Sequence, residues 1–170
     1  MSTTDVRVVR PAETRLTLAM VMAAHDTNLM GTVHGGHVMK SVDDAAGTAA
    51  ARFSGGPAVT AVMDEMIFRA PVRVGDILTV HAQINWAGRT SMEVGAHVAT
   101  TRWDELNEPV HVATAYLVLV AVDENGRPRT LPRLEPYSPD DLRRHAEAEI
   151  RRRHRLRMRE EIDRLRALTD

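Results

Sequence analysis

The chain changes periodicity along its length. Arg15 to Met22 reads as a strand, whereas Ala24 to Gly36 is polar, glycine-punctuated and fits neither period, so it reads as a loop. From His37 to Arg52 apolar residues recur at helical spacing, as Val38, Val42, Ala45, Ala46 and Ala49, with Gly35-Gly36 starting the run and Gly55-Gly56-Pro57 stopping it. Four strand-like stretches follow, Val59 to Arg69, Ile77 to Trp86, Ser91 to Thr101 and Val110 to Val122, and the short turns between them predict an antiparallel sheet. The Pro-rich segment from Arg127 to Pro139 reads as a linker. A last helix is predicted from a Ser138 cap, with Pro139 at its first position, to about Leu168.

This order leaves one long helix to cover the sheet. It predicts an α+β fold, a curled antiparallel sheet of about five strands wrapped around that helix, plus a C-terminal Arg-rich helix. The small residues Ala45-Ala46-Gly47 and Ala49-Ala50-Ala51 let the sheet approach closely. Such a sheet has exposed edges, and two copies pairing edge to edge would cover them and create a cleft between subunits.

The 170 residues suffice for one core with a short appendage, and 44% hydrophobic with 26% charged residues is an ordinary globular composition. Cysteine is absent, which removes disulfides, thiol nucleophiles and thiolate zinc sites, so any catalysis must use oxygen or nitrogen groups. Met1 to Pro11 is polar and no apolar run is long enough to span a bilayer, so a cytoplasmic protein without membrane contact is expected. The net charge of −1 hides an asymmetry, because residues 140–170 carry ten Arg against eight acids.

Chemistry concentrates between His25 and Ala51. Gly35-Gly36 can bare backbone N–H groups at a helix N-terminus, suited to a developing oxyanion, or can be a mere tight turn. On a helical wheel with Val38 at zero, Asp43 falls at about 140°, on the rim of the apolar arc, and Asp44 at about 240°. Asp43 is therefore a candidate general base, against the alternative of a surface acid favoured by the helix dipole. Asp44, four residues from Lys40, reads as a solvated pair partner. Asn28 is either a turn-stabilising side chain or an amide that positions water or a carbonyl. His34 and His37 have no third ligand at metal spacing, and Ser41 has no neighbouring base, so neither a metal nor a serine triad is expected.

Together these residues resemble the hotdog-fold acyl-CoA thioesterases, specifically the cytosolic acyl-CoA hydrolase (YciA-like) subfamily. The resemblance rests on Asp26-Thr27-Asn28, Gly31, Gly35-Gly36, Met39-Lys40-Ser41-Val42-Asp43 and Ala45-Ala46-Gly47, and further on Phe68 to Asp76 and Val120 to Arg129. It covers about residues 12–134, a hotdog domain, and leaves 138–170 as an amphipathic Arg-rich helix. It implies hydrolysis of an acyl-CoA to CoA and a carboxylic acid without a cofactor, Asp43 acting as general base or nucleophile. It further implies that Asn28 orients water or substrate, that the Gly35 and Gly36 backbone polarises the carbonyl, and that the site lies between subunits of a homodimer within a homohexamer, a trimer of dimers. Arg69, Arg73, Arg89, Thr90 and Ser91 are candidates for the CoA phosphates or pantetheine, from charge and turn position.

In the tail, Leu142, Ala146, Ile150, Met158, Ile162 and Leu165 recur at helical steps among arginines, which predicts a helix packed against a neighbouring subunit. Nucleic acid is a poorer fit, because no aromatic residues accompany the basic run. Two rival readings stand beside hydrolysis. A hotdog dehydratase would use a histidine such as His34, and a non-catalytic acyl-CoA sensor would have no need of a rim aspartate.

Overall fold

A computed structural model describes residues 7–168; the first six residues of the polar N-terminal stretch, and the last two of the chain, lie outside the described residues. The element order is β1 (Val8–Val9), β2 (Leu16–Val21), α1 (Gly35–Ser54), β3 (Ala58–Phe68), β4 (Asp76–Ala87), β5 (Ser91–Arg102), β6 (Val110–Ala121), β7 (Arg133–Leu134) and α2 (Pro139–Arg166). Short 3-10 turns at Pro11–Thr14 and Ala24–Asp26 flank β2.

Five strands form one antiparallel sheet in the order β2-β4-β5-β6-β3. Period-two alternation sends Leu78, Val80, Ala82 and Ile84 of β4, and Met92, Val94, Ala96 and Val98 of β5, inward onto α1. The facing side of α1 presents Val38, Val42, Ala45, Ala46, Ala49 and Ala50, all nearly inaccessible. The alanines let the sheet curl close around the helix, the arrangement expected of a hotdog fold.

α1 begins two residues earlier than its apolar periodicity indicates. Gly35 and Gly36 form its first turn, and His34 is the cap, its Nδ1 accepting the Gly36 N–H at 2.9 Å. Histidine lies outside the usual capping residues, which is why the sequence pattern does not mark it. At the other end Gly55 closes the helix at φ 71°, a left-handed position suited to glycine.

The segment read as a linker is part of the folded body. Arg133–Leu134 pairs in parallel with Val8–Val9, Leu131 and Leu134 are buried, and Arg129 donates to the Ser54 carbonyl at 2.6 Å, tying down the end of α1. Prolines in this stretch mark a strap that crosses the sheet end, where no continuous ladder is needed.

The C-terminal helix α2 lies on the outer face of its own sheet and docks there through its arginines. Arg151 stacks over the Tyr116 ring at 3.6 Å and donates to the buried Glu93 at 2.7 Å; Arg155 reaches Asp64. At the start of the helix Gln83 donates to Asp141 at 3.1 Å. Burial pushes the Asp141 carboxyl up, but hydrogen bonds from Ser138 and Gln83 outweigh it and hold the group below the usual carboxylate range. Leu142 and Ile150, members of the predicted stripe, are exposed. Helical spacing could not show this, because it cannot register that a strand hides a carboxylate on the opposing surface.

Candidate active site

With α1 starting at Gly35, Asp43 stands in its third turn, half-buried at the rim of the apolar face. Its Oδ1 accepts a hydrogen bond from the Thr60 hydroxyl of β3 at 2.6 Å. The pairing of β3 with β6 shifts register between Thr60 and Val62 and again between Met63 and Glu65. Such bulges re-aim side chains, and here one neighbours the threonine that meets Asp43. Asp44 points away and pairs with Lys40 at 2.6 Å on the exposed side. The wheel argument thus separates the two acids correctly, whereas Thr60 carries no sequence signal, since its role depends on a bulge.

The Asn28 side chain is engaged within its own loop. Its Oδ1 accepts the N–H groups of Met30 at 2.8 Å and Thr32 at 3.4 Å, and its Nδ2 donates to the Thr32 hydroxyl at 2.9 Å. These contacts use one of the two amide N–H groups and leave the other as a donor. The loop is clasped to α1 by Asp26, whose carboxylate accepts the Ala23 N–H at 2.8 Å and lies 3.3 Å from His37, and whose carbonyl accepts the His34 N–H. Leu29 and Met30 at the loop tip are fully exposed.

The Gly36 N–H is occupied by the His34 ring, so the pair does not present two open donors; the Gly35 N–H has no partner among the described residues. Gly35 borders a cleft of about 330 Å³ lined by Val33, Val38, Phe68, Arg69 and Val72, and a side chain at Gly35 would meet the Phe68 ring at 3.6 Å.

Of the residues proposed for CoA, Arg69 lies on this cleft and Arg73 borders a neighbouring one with Asp76 and Arg102. Arg89 and Thr90 lie in the turn between β4 and β5, and Ser91 begins β5, at the other end of a strand about 36 Å long. The structure therefore divides these five residues into two groups within one protomer. Likewise Asp43 with Thr60, near the start of β3, is not in contact with Asn28 or Gly35, which sit toward its Phe68 end. Among the described residues no cluster of three or more His, Asp or Glu side chains is placed to hold a metal ion, and no helix is long and apolar enough to cross a membrane.

The sequence profile of the thioesterase superfamily matches residues 30–101, which include Asp43 and Thr60. The uncharacterized acyl-CoA thioester hydrolase YkhA of Bacillus subtilis is 35% identical over 71% of this chain and 69% of its own length. A hexameric acyl-CoA thioesterase, solved in its apo form, superposes with a TM-score of 0.85 at 29% identity, over 90% of this chain and 97% of that one. The acyl-CoA hydrolase of Staphylococcus aureus, solved with butyryl-CoA and CoA, gives 0.83 at 28% identity, over 96% and 99%. That hydrolase has also been solved with an aspartate, an asparagine or a threonine replaced by alanine. With its five-stranded curled sheet around α1 and these relatives, the chain belongs to the thioesterase superfamily, among the hotdog-fold acyl-CoA thioesterases.

Proposed function

We propose that this protein hydrolyses acyl-CoA thioesters to CoA and a carboxylic acid, in a site shared by two protomers paired through β3. The observation that carries this reading is the Asp43–Thr60 hydrogen bond at one end of an edge strand, with the Gly35 cleft and the Asn28 loop at the other. Antiparallel pairing of two β3 strands about a two-fold axis would bring the Phe68 end of one protomer beside the Thr60 end of its partner. It would also cover Val59, Ile67 and Phe68, which are about half exposed on a strand with an unpaired edge.

In that arrangement the Asp43 carboxylate, fixed by Thr60, takes a proton from water as the water oxygen attacks the thioester carbonyl. The Gly35 N–H, at the positive end of α1, receives the developing oxyanion, and the free Asn28 N–H orients the carbonyl or the water. The C–S bond breaks and the departing CoA thiolate takes up the proton. As a nucleophile, Asp43 would instead form an anhydride that water then opens. Both routes require only substrate and water, so no cofactor enters. Arg69 on this cleft and Arg73 on the neighbouring one would meet CoA phosphates, with Arg89, Thr90 and Ser91 as a separate, more distant candidate group. The hexameric relative supports assembly of such dimers into a hexamer, and a mouse relative named a cytosolic acyl coenzyme A thioester hydrolase, 31% identical over 79% of this chain, supports a cytoplasmic address.

The test is thiol release from acyl-CoAs ranging from acetyl to palmitoyl. Release above background on at least one is expected; binding across the panel without release would favour a sensor. Asn28→Ala should lower turnover by about 10²-fold while the sedimenting species stays the same. Dissociation into monomers would instead assign Asn28 to holding its loop. Thr60→Val, which keeps the side-chain shape and removes the hydroxyl, should lower turnover by about 10- to 100-fold by releasing Asp43 from its position. Unchanged turnover would remove Thr60 from the machinery.

A further inference from the structure

Along α2, the residues facing the sheet follow strict steps of three and four: Asp141, Arg144, Ala148, Arg151, Arg155. They meet the sheet in order across its width. Asp141 pairs with Gln83 on β4, Arg151 with Glu93 on β5 and Tyr116 on β6, and Arg155 with Asp64 on β3. β3 is the last strand, so the helix reaches the sheet edge at Arg155 and has eleven residues still to run.

Those residues, Leu156 to Arg166, extend about 16 Å, or a little over three strand spacings of about 4.8 Å. All of them are exposed. The same three-and-four seam continues through them as Met158, Ile162 and Leu165, and at this point its chemistry changes from charged and small to apolar. Leu156 and Arg159 still border a cleft with Val62 and Val118 of the protein's own sheet, but an apolar seam beyond them, facing water, adds no packing to the helix end, and helix ends draw their stability from packing. The change of residue type at the sheet edge is what a seam requires if it leaves one surface and enters another. Continuity through the β3 edge identifies that second surface, because a second copy of the chain paired there is what the helix would next pass over.

We infer that the last third of α2 is an intersubunit strap, with Met158, Ile162 and Leu165 docking on a second copy of this chain across the β3 seam. The inference rests on the β3 pairing proposed above and not on the chemistry of the site. It assigns the helix two roles in sequence, a charged clamp on its own sheet and an apolar contact on its partner.

The lack of cysteine makes the test direct. Single cysteines are placed in the full-length protein at Ile162 and Leu165, and as controls at Leu142 and Ile150, which are exposed on the other side of α2. Each variant is labelled with a maleimide while its size is followed by sedimentation. The expected result is an assembly of two or more chains in which the cysteines at 162 and 165 label about tenfold or more slowly than the controls, with protection lost in 6 M urea. In a second variant, Met158→Glu combined with Ile162→Glu, a lowered fraction of assembled chains is expected while far-ultraviolet dichroism reports a folded protein. Equal labelling rates at all four positions in an assembled protein, or a protein that sediments as a monomer, would overturn the strap. Thiol release from acyl-CoA is measured on the same samples, so loss of the hydrolase reading and loss of the strap are separate outcomes.

Discussion

Asp43→Asn is expected to lower acyl-CoA hydrolysis by about 10²–10⁴-fold, the range spanned by general-base catalysis, while Asp44→Asn leaves most of it. Asparagine has nearly the shape of aspartate and keeps an oxygen able to accept the Thr60 hydroxyl bond now made at 2.6 Å. What it loses is the charge and basicity needed to take a proton from water or attack a carbonyl. Asp44 stands one residue along but on the solvent side, its side chain half exposed and paired with Lys40, a contact that solvent screens. The two substitutions remove the same charge from the same helix, so a general effect on the helix or on net charge would appear in both. Steady-state thiol release and far-ultraviolet dichroism on the pair give the result. Similar losses in two folded variants would detach the aspartate from the chemistry.

The parts legible in the sequence are those set by local periodicity. The spacing of Val38, Val42, Ala45, Ala46 and Ala49 defines the buried face of α1 and places Asp43 at its rim, and the alternation through β4, β5 and β6 gives the sheet. The parts that were not legible depend on what a distant segment supplies. Arg129 holds the end of α1 from 75 residues away, which no local pattern encodes. Thr60 meets Asp43 beside a bulge, and bulges leave little mark in composition. The helix wheel of α2 drew attention to Leu142 and Ile150, yet the docked face carries Arg151 and Arg155, because Glu93 on β5 is buried and requires counter-charges.

That buried carboxylate makes Arg151→Met the substitution with the largest expected effect on stability. Glu93 is 1% exposed, and its oxygens accept from Arg151 at 2.7 and 3.2 Å, with the Arg155 guanidinium at 3.6 Å. Burial disfavours the charged form of Arg151, but the Glu93 contacts outweigh it and raise the guanidinium above its ordinary value. Methionine retains much of the side chain's apolar length over Tyr116 and removes only the charge and its donors. Glu93 is then left beneath the helix with the more distant Arg155 and a long hydrogen bond from the Asn85 amide at 3.4 Å, and a stability loss of about 3 kcal/mol is expected, the lower end for a broken buried pair. Arg143→Met is the control, because Arg143 pairs with Asp140 and Glu147 on its own helix at the surface and should matter little. Adding Glu93→Gln to Arg151→Met should recover most of the loss, since a neutral amide needs no counter-charge. Urea unfolding of the three variants and the parent protein measures these differences. If Arg151→Met loses no more than Arg143→Met, or if Glu93→Gln fails to restore it, α2 is held by its apolar contacts and the buried pair is incidental to its docking.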